Sequence, residues 1–214
     1  MTTRAGDREL KRHRLIEAAA SVFARQGYTA TRMADIAVEA AVGKGTLYEY
    51  FPSKEELFFA VFETVHVEAR GRVVEALPDT LSGLARLREM LAAAAAFVAG
   101  HRQMHGVTLD FWAASIGSPH EDRFQQVCGR MYRDWRELGA ATIREGQARG
   151  EIAATVDAEA VATLLVAALD GLGVQLWFDP SLEPRPAVSR FVDALCEGLL
   201  ARPGDNRNPA QVST

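Results

Sequence analysis

Only two cysteines occur in the 214 residues, Cys128 and Cys196. That is too few for a disulfide framework and fits a reducing, cytoplasmic compartment. No stretch of about 18 uncharged apolar residues occurs, so no membrane span is expected. The segment Met1–Arg14 is polar and charged, without the apolar centre of a secretory leader. Strand-like alternation of apolar and polar residues is not convincing anywhere, and no internal repeat is visible. The chain also lacks a Ser-His-Asp set and a glycine-rich phosphate loop, which excludes the obvious routes to a small helical enzyme. His101 and His105 lie four apart, but with Asp110 and His120 they make no evident four-ligand set. No metal and no cofactor are expected, and a sensing role for those histidines or for the two cysteines stays open.

What is present favours helices. Apolar residues make up 48% of the chain, with alanine and leucine dominant, and both are strong helix formers. The formal net charge of -4 hides an asymmetry. Residues 1–54 carry nine Lys and Arg against six Asp and Glu, so the excess of acid lies in the remainder. A basic head on an acidic body is the distribution expected when only the head meets phosphate.

The head reads as three helices. Leu15, Ile16, Ala19, Ala20, Val22 and Phe23 recur at helical spacing within residues 8–26. Gly27 is placed as the left-handed cap that ends that helix. Thr31 is expected to cap a second helix, with Met33, Ile36, Ala37 and Ala40 facing inward. Ala41-Val42-Gly43 turns the chain, and a third helix over about residues 44–51 presents Leu47 to the core. Pro52 and Ser53 then end one helix and begin another, with Ser53 and Glu56 forming a capping box. This is the layout of a helix-turn-helix that inserts one helix into the DNA major groove.

Within that layout, Lys44-Gly45-Thr46-Leu47-Tyr48-Glu49-Tyr50-Phe51-Pro52-Ser53-Lys54-Glu55-Glu56-Leu57 closely resembles the signature of the TetR family of bacterial regulators. The resemblance covers residues 8–62; beyond them only helix number, length and order agree. It implies DNA contacts from Thr31, Arg32, Val42, Gly43, Lys44, Gly45, Thr46, Tyr48, Tyr50 and Lys54. The residue chemistry fits those roles. Thr31 sits where a helix start can bind phosphate. Arg32 and Lys54 neutralise flanking phosphates. Gly45 keeps the third helix slim, Thr46 and Tyr48 reach bases or phosphates, and Tyr50 reaches the backbone. Two residues depart from the family's pattern: Ala41 stands where glycine is common, and Gly43 where serine is common. The first implies either a strained backbone of roughly 1 kcal/mol or a slightly different turn; the second loses a hydroxyl that would touch DNA.

The body reads as further helices, to about residue 77, then 80–99, 103–117, a long one to about 149, 157–178, and a last one ending near 202. Ser118-Pro119-His120-Glu121 is expected to be a second capping box with proline at the first helical position. The expected fold is all-α: a helix-turn-helix domain over 8–54, a larger helical ligand-binding and dimerisation domain over 55–202, and a disordered tail over 203–214. Val161, Leu164, Leu165, Ala168 and Leu172 belong to a helix apolar on more than one face, which a second copy or the chain's own core must cover. Asp170 within it has three readings: a bond across a dimer, a ligand amine, or water. The resemblance implies a homodimer, with the last two helices of each subunit forming a four-helix bundle. It also implies a small, largely apolar ligand entering among the middle helices and moving the helix after Pro52 like a lever. Pocket candidates are Phe97, Met104, Leu109, Phe111, Trp112, Phe124, Met131, Trp135 and Trp177, since aromatic and methionine side chains suit an adaptable cavity. The expectation is a regulator that binds a pseudo-palindromic operator as a dimer, most readily a repressor released by ligand. The alternative is a DNA-binding dimer controlled by a protein partner or acting without ligand.

Overall fold

The computed structural model describes residues 4–78 and 80–200. The tail expected over 203–214 lies outside them. Nine helices are found among the described residues: α1 (Arg4–Gln26), α2 (Met33–Glu39), α3 (Lys44–Tyr50), α4 (Lys54–Glu75), α5 (Gly83–Gly100), α6 (Arg102–Ser115), α7 (Glu121–Ala148), α8 (Ala158–Phe178) and α9 (Pro184–Leu199). The only extended pairing among these residues is an isolated bridge between Ile152 and Leu200. The fold is all-α, as the periodicity implied.

Capping residues set most boundaries. Gly27 ends α1 at φ +79, where a Cβ would be penalised. Ser53 Oγ accepts from the Glu56 N–H at 3.2 Å and starts α4. Asp157 Oδ1 accepts from Glu159 and Ala160 at the head of α8. The expected box at Ser118 takes another form. Ser118 Oγ accepts from His120 N–H, Glu121 Oε2 accepts from Gly117 N–H, and α7 begins only at Glu121. Pro119 therefore lies in the turn before the helix. The last helix begins at Pro184, because prolines fit a first helical turn whose N–H groups have no intrahelical partner.

Two compact units result. The first contains residues up to Glu68 together with Gln103–Gly129; the second contains Ala69–Arg102 and the residues from Arg130 onward. The reason is packing. Val107 and Phe111 of α6, with Phe124 and Val127 of α7, are buried in one core with Leu15, Phe23, Ile36, Leu47, Leu57 and Phe58. The helix-turn-helix head thus shares its core with α6. The second unit has its own core, centred on Val73, Leu87, Leu91, Ala140, Ile143, Ile152, Leu165, Val192 and Cys196. Cys128 packs partly buried against the first core.

Candidate DNA-contact surface

Leu47 is fully buried against the first core, and this fixes how α3 is rotated. Its opposite face is then open: Lys44, Gly45 and Tyr48 are exposed, Thr46 and Tyr50 half-buried. A Cβ at Gly45 would meet nothing within 4 Å, so another surface can approach the helix backbone there.

The α2–α3 turn places that face. Val42 N–H donates to Ala37 O at 3.0 Å and Ala41 N–H to Val38 O at 3.1 Å. These two bonds define a Schellman ending, in which the residue between helix and turn adopts the left-handed conformation. That residue is Ala41, at φ 52, so the strain expected from the missing glycine is present. Ala41→Gly is expected to raise stability by roughly 0.5–1 kcal/mol, the relief of strain exceeding glycine's entropy cost; urea unfolding would measure it. Gly43 is the N-cap of α3 with no side-chain bond, and Val42 beside it is half-buried.

Two expected contacts sit differently. Thr31 is not the cap of α2. The N-cap is Arg32, whose N–H donates to Asp35 Oδ2 at 3.0 Å, while its side chain is exposed. Thr31 is buried, and its hydroxyl donates to Gly27 O at 2.5 Å. The acid that reaches back lies three residues after Arg32, and that spacing was the signal available in the sequence. Lys54 likewise turns inward. Its Nζ donates to Tyr28 O at 2.9 Å, Thr31 O at 3.0 Å and Thr29 O at 3.4 Å, and lies 4.3 Å from the Tyr28 ring centre. Partial burial pulls the ammonium pKa down, with Glu55 and Asp110 opposing.

The same turn is held by residues that sequence reasoning did not assign. Asp110 of α6 accepts from Thr29 N–H at 2.7 Å and from Thr29 Oγ1 at 2.6 Å. Tyr28 donates its phenol proton to Glu55 Oε1 at 2.8 Å, and burial together with that carboxylate raises the phenol pKa above its ordinary value. The Tyr28 ring meets Phe111 edge-on, with centroids 4.6 Å apart. An Asp and a Thr 81 positions apart carry no local signal of their pairing.

The nine expected pocket residues divide between the two units. Phe111 and Phe124 are buried in the first core: Phe111 stacks on Phe58 at 3.9 Å and meets Phe124 at 5.3 Å. α6 and α7 close on the head there, so both rings pack in its core. Met104 and Leu109 are half-buried in the same unit, and Trp112 is 53% exposed. In the second unit Phe97 stacks on His101 at 3.9 Å, Met131 and Trp135 are half-buried, and Trp177 is exposed. An open groove in the first unit, lined by Glu9, Leu10, Arg12, His13, Ile16 and Thr64, touches none of the nine. Among the described residues no group of three metal-capable side chains forms.

On α8, Leu164 is 69% exposed and Ala168 is exposed, while Val161 and Leu172 are half-buried. Leu165 departs from the expected interface: it is buried in the chain's own second core. By length and composition alone α8 could cross a membrane.

Residues 15–61 match the domain described as bacterial regulatory proteins, tetR family, and residues 83–201 match the BetI-type transcriptional repressor C-terminal domain. The chain belongs to the TetR family. It is 32% identical to the HTH-type transcriptional repressor SCO4008 of Streptomyces coelicolor over 164 residues, 76% of this chain and 78% of that protein. It is 29% identical to the A-factor receptor protein of Streptomyces griseus over 74% of this chain, spanning about half (52%) of that protein's length. Among solved structures it resembles a transcriptional regulator from Saccharomonospora viridis in complex with choline, with a TM-score of 0.72 and 27% identity over 89% of this chain and 98% of that one. Members of the TetR family are transcriptional regulators, not enzymes, and they bind DNA as dimers. In a helix-turn-helix the second helix of the motif is the one that lies in the major groove, and α3 follows α2 in that order here.

Proposed function

We propose that this chain is a cytoplasmic repressor that binds a pseudo-palindromic operator as a homodimer and leaves it when a small, largely apolar molecule binds. The observation that carries the DNA reading is the orientation of α3: Leu47 is anchored in the core while Lys44, Gly45 and Tyr48 stand open. Arg32 supplies an exposed cation at the head of α2. Thr31 and Lys54 act in this reading by shaping the α1–α2 turn, with any phosphate contact coming from the backbone beside them. Dimerisation is supported by the uncovered apolar face of α8, where Leu164 and Phe178 are 69% and 71% exposed. An apolar face of that kind on a DNA-binding protein calls for a second copy, and two recognition helices then read two half-sites.

Release by a ligand is supported by the grip of α6 on the head. Asp110 and Phe111 hold Thr29 and Tyr28, so a displaced α6 would carry the α1–α2 turn with it. The Saccharomonospora relative's choline shows a similar fold holding a small molecule. The packing of Phe111 and Phe124 favours a second reading on one point. A filled core there suits control by a protein partner, or regulation without ligand, better than it suits a cavity at that place.

The test is recovery of genomic fragments bound by the purified protein at controlled salt. An inverted repeat is expected; uniform or absent binding by ligand-stripped protein would sink the reading. On the recovered repeat, Thr46→Ala and Tyr48→Ala are each expected to lower discrimination against random DNA by about tenfold, in line with 1–3 kcal/mol per base contact.

A further inference from the structure

The buried face of α1 continues where the core has ended. Leu15, Ala19 and Val22 are buried at helical spacing, and the same register read backwards meets Arg12, Lys11 and Arg8. Elsewhere in the first unit the chain supplies carboxylates to its cations. Arg25 pairs with Glu39 at 2.7 Å and Arg123 with Glu56. For Arg8, Lys11 and Arg12 no carboxylate partner is found among the described residues. They lie on aromatic rings instead. Arg8 is 5.7 Å and Lys11 5.9 Å from the ring centre of Tyr50, and Arg12 is 5.3 Å from that of Phe51. Tyr50 is the last residue of α3 and Phe51 its C-cap. An aromatic face holds a cation in place without neutralising it, so full positive charge is left beside the end of the recognition helix. Arg8 and Lys11 are exposed and Arg12 is half-buried.

We propose that Arg8, Lys11 and Arg12, seated on Tyr50 and Phe51, form a second DNA-phosphate track on α1, which grips the backbone flanking the groove that α3 enters. The proposal rests on the DNA-binding reading above. Its occupant is the phosphodiester backbone of the same duplex, because the cations are continuous with α3 and carry the complementary charge. Phosphate contacts of this kind set affinity and register without reading sequence. Asp7 and Glu9 share the segment and leave its balance positive.

The experiment uses the full chain and a labelled random-sequence duplex, titrated across KCl concentrations from about 50 to 200 mM. Arg8→Ala with Lys11→Ala removes two exposed charges. The slope of log K against log salt is expected to fall by about 1.8 per bound protomer, since each phosphate contact contributes about 0.9. The charge-conserving exchange Arg8→Lys with Lys11→Arg is expected to restore it. Arg14→Ala, which removes an exposed charge outside the stripe, is expected to leave the slope in place. An unchanged slope in the double variant overturns the track. So does an equal per-charge loss in Arg14→Ala, which would show diffuse attraction to a basic head. Wild-type protein that binds no duplex overturns the DNA reading and the track together.

Discussion

Phe111→Ala is expected to cost about 3–5 kcal/mol of unfolding free energy, the range for truncating a buried aromatic. The side chain is 1% exposed and sits among four rings: Phe58 stacked at 3.9 Å, Tyr28 at 4.6 Å, Phe59 at 5.2 Å and Phe124 at 5.3 Å. Each ring pair adds about 0.5–1.5 kcal/mol beyond its area, and truncation removes all four at once. Trp112, the next residue on α6, is 53% exposed, so the same truncation there is expected to stay within about 0.5 kcal/mol. Urea unfolding of the two variants separates a core from a cavity wall. If Phe111→Ala cost less than about 1 kcal/mol, the ring would not be packed as described, and the sequence expectation of a pocket at that place would return. The consequence for regulation is direct. Phe111 and Asp110 are neighbours on one turn of α6, and both touch the α1–α2 turn. Loosening one is expected to loosen the other, so the variant's operator affinity should fall further than that of a variant destabilised elsewhere.

The helices of the head were legible because their signals are local. Gly27, Ser53 and the buried run on α1 each act within one or two turns, and each stands where the spacing placed it, although the Glu56 side chain pairs with Arg123 instead of closing the box. Ala41 shows the same from the other side: a residue unsuited to its turn was visible as a departure, and the strained φ follows. Errors arose where two local signals competed. Thr31 and Arg32 both precede a helical pattern, and the choice depended on which one Asp35 could reach. Ser118 and Glu121 fit a capping spacing, yet Gly117 takes the glutamate. What stayed hidden was long-range. Nothing in the neighbourhood of Asp110 points to Thr29, and nothing near Lys54 points to three carbonyls of the α1–α2 turn. Both pairings depend on how α4 and α6 pack on the head. That same packing places Val107 and Phe111 of α6 in one core with Leu15, Phe23 and Leu47 of the head.

Gly83→Ala is the second large expected effect, and it reads the rigidity of the second unit. A Cβ at Gly83 would lie 2.3 Å from Gly146 Cα and 2.6 Å from Gly146 N, both backbone atoms of α7. No rotamer relieves a backbone contact, so α5 and α7 would have to separate by about 1 Å to reach ordinary contact distance. Overpacking of this kind costs about 1–3 kcal/mol, and the upper end is expected because the crossing is fixed on both sides. Leu84 N–H donates to Glu151 Oε2 at 3.0 Å, and Ile152, fully buried, packs against Gly146. Gly171 of α8 provides the contrast, since a Cβ there would meet nothing within 4 Å inside the chain. Gly171→Ala is expected to stabilise by about 0.5–1 kcal/mol through helix propensity. Should a partner copy pack closely on α8, that gain would reverse at protein concentrations where the dimer forms and reappear on dilution. Thermal unfolding of both variants over a concentration series therefore checks the internal crossing and the proposed external one together. Gly83→Ala is expected to lose stability at every concentration, and a neutral result there would mean that α5 and α7 do not cross at these glycines.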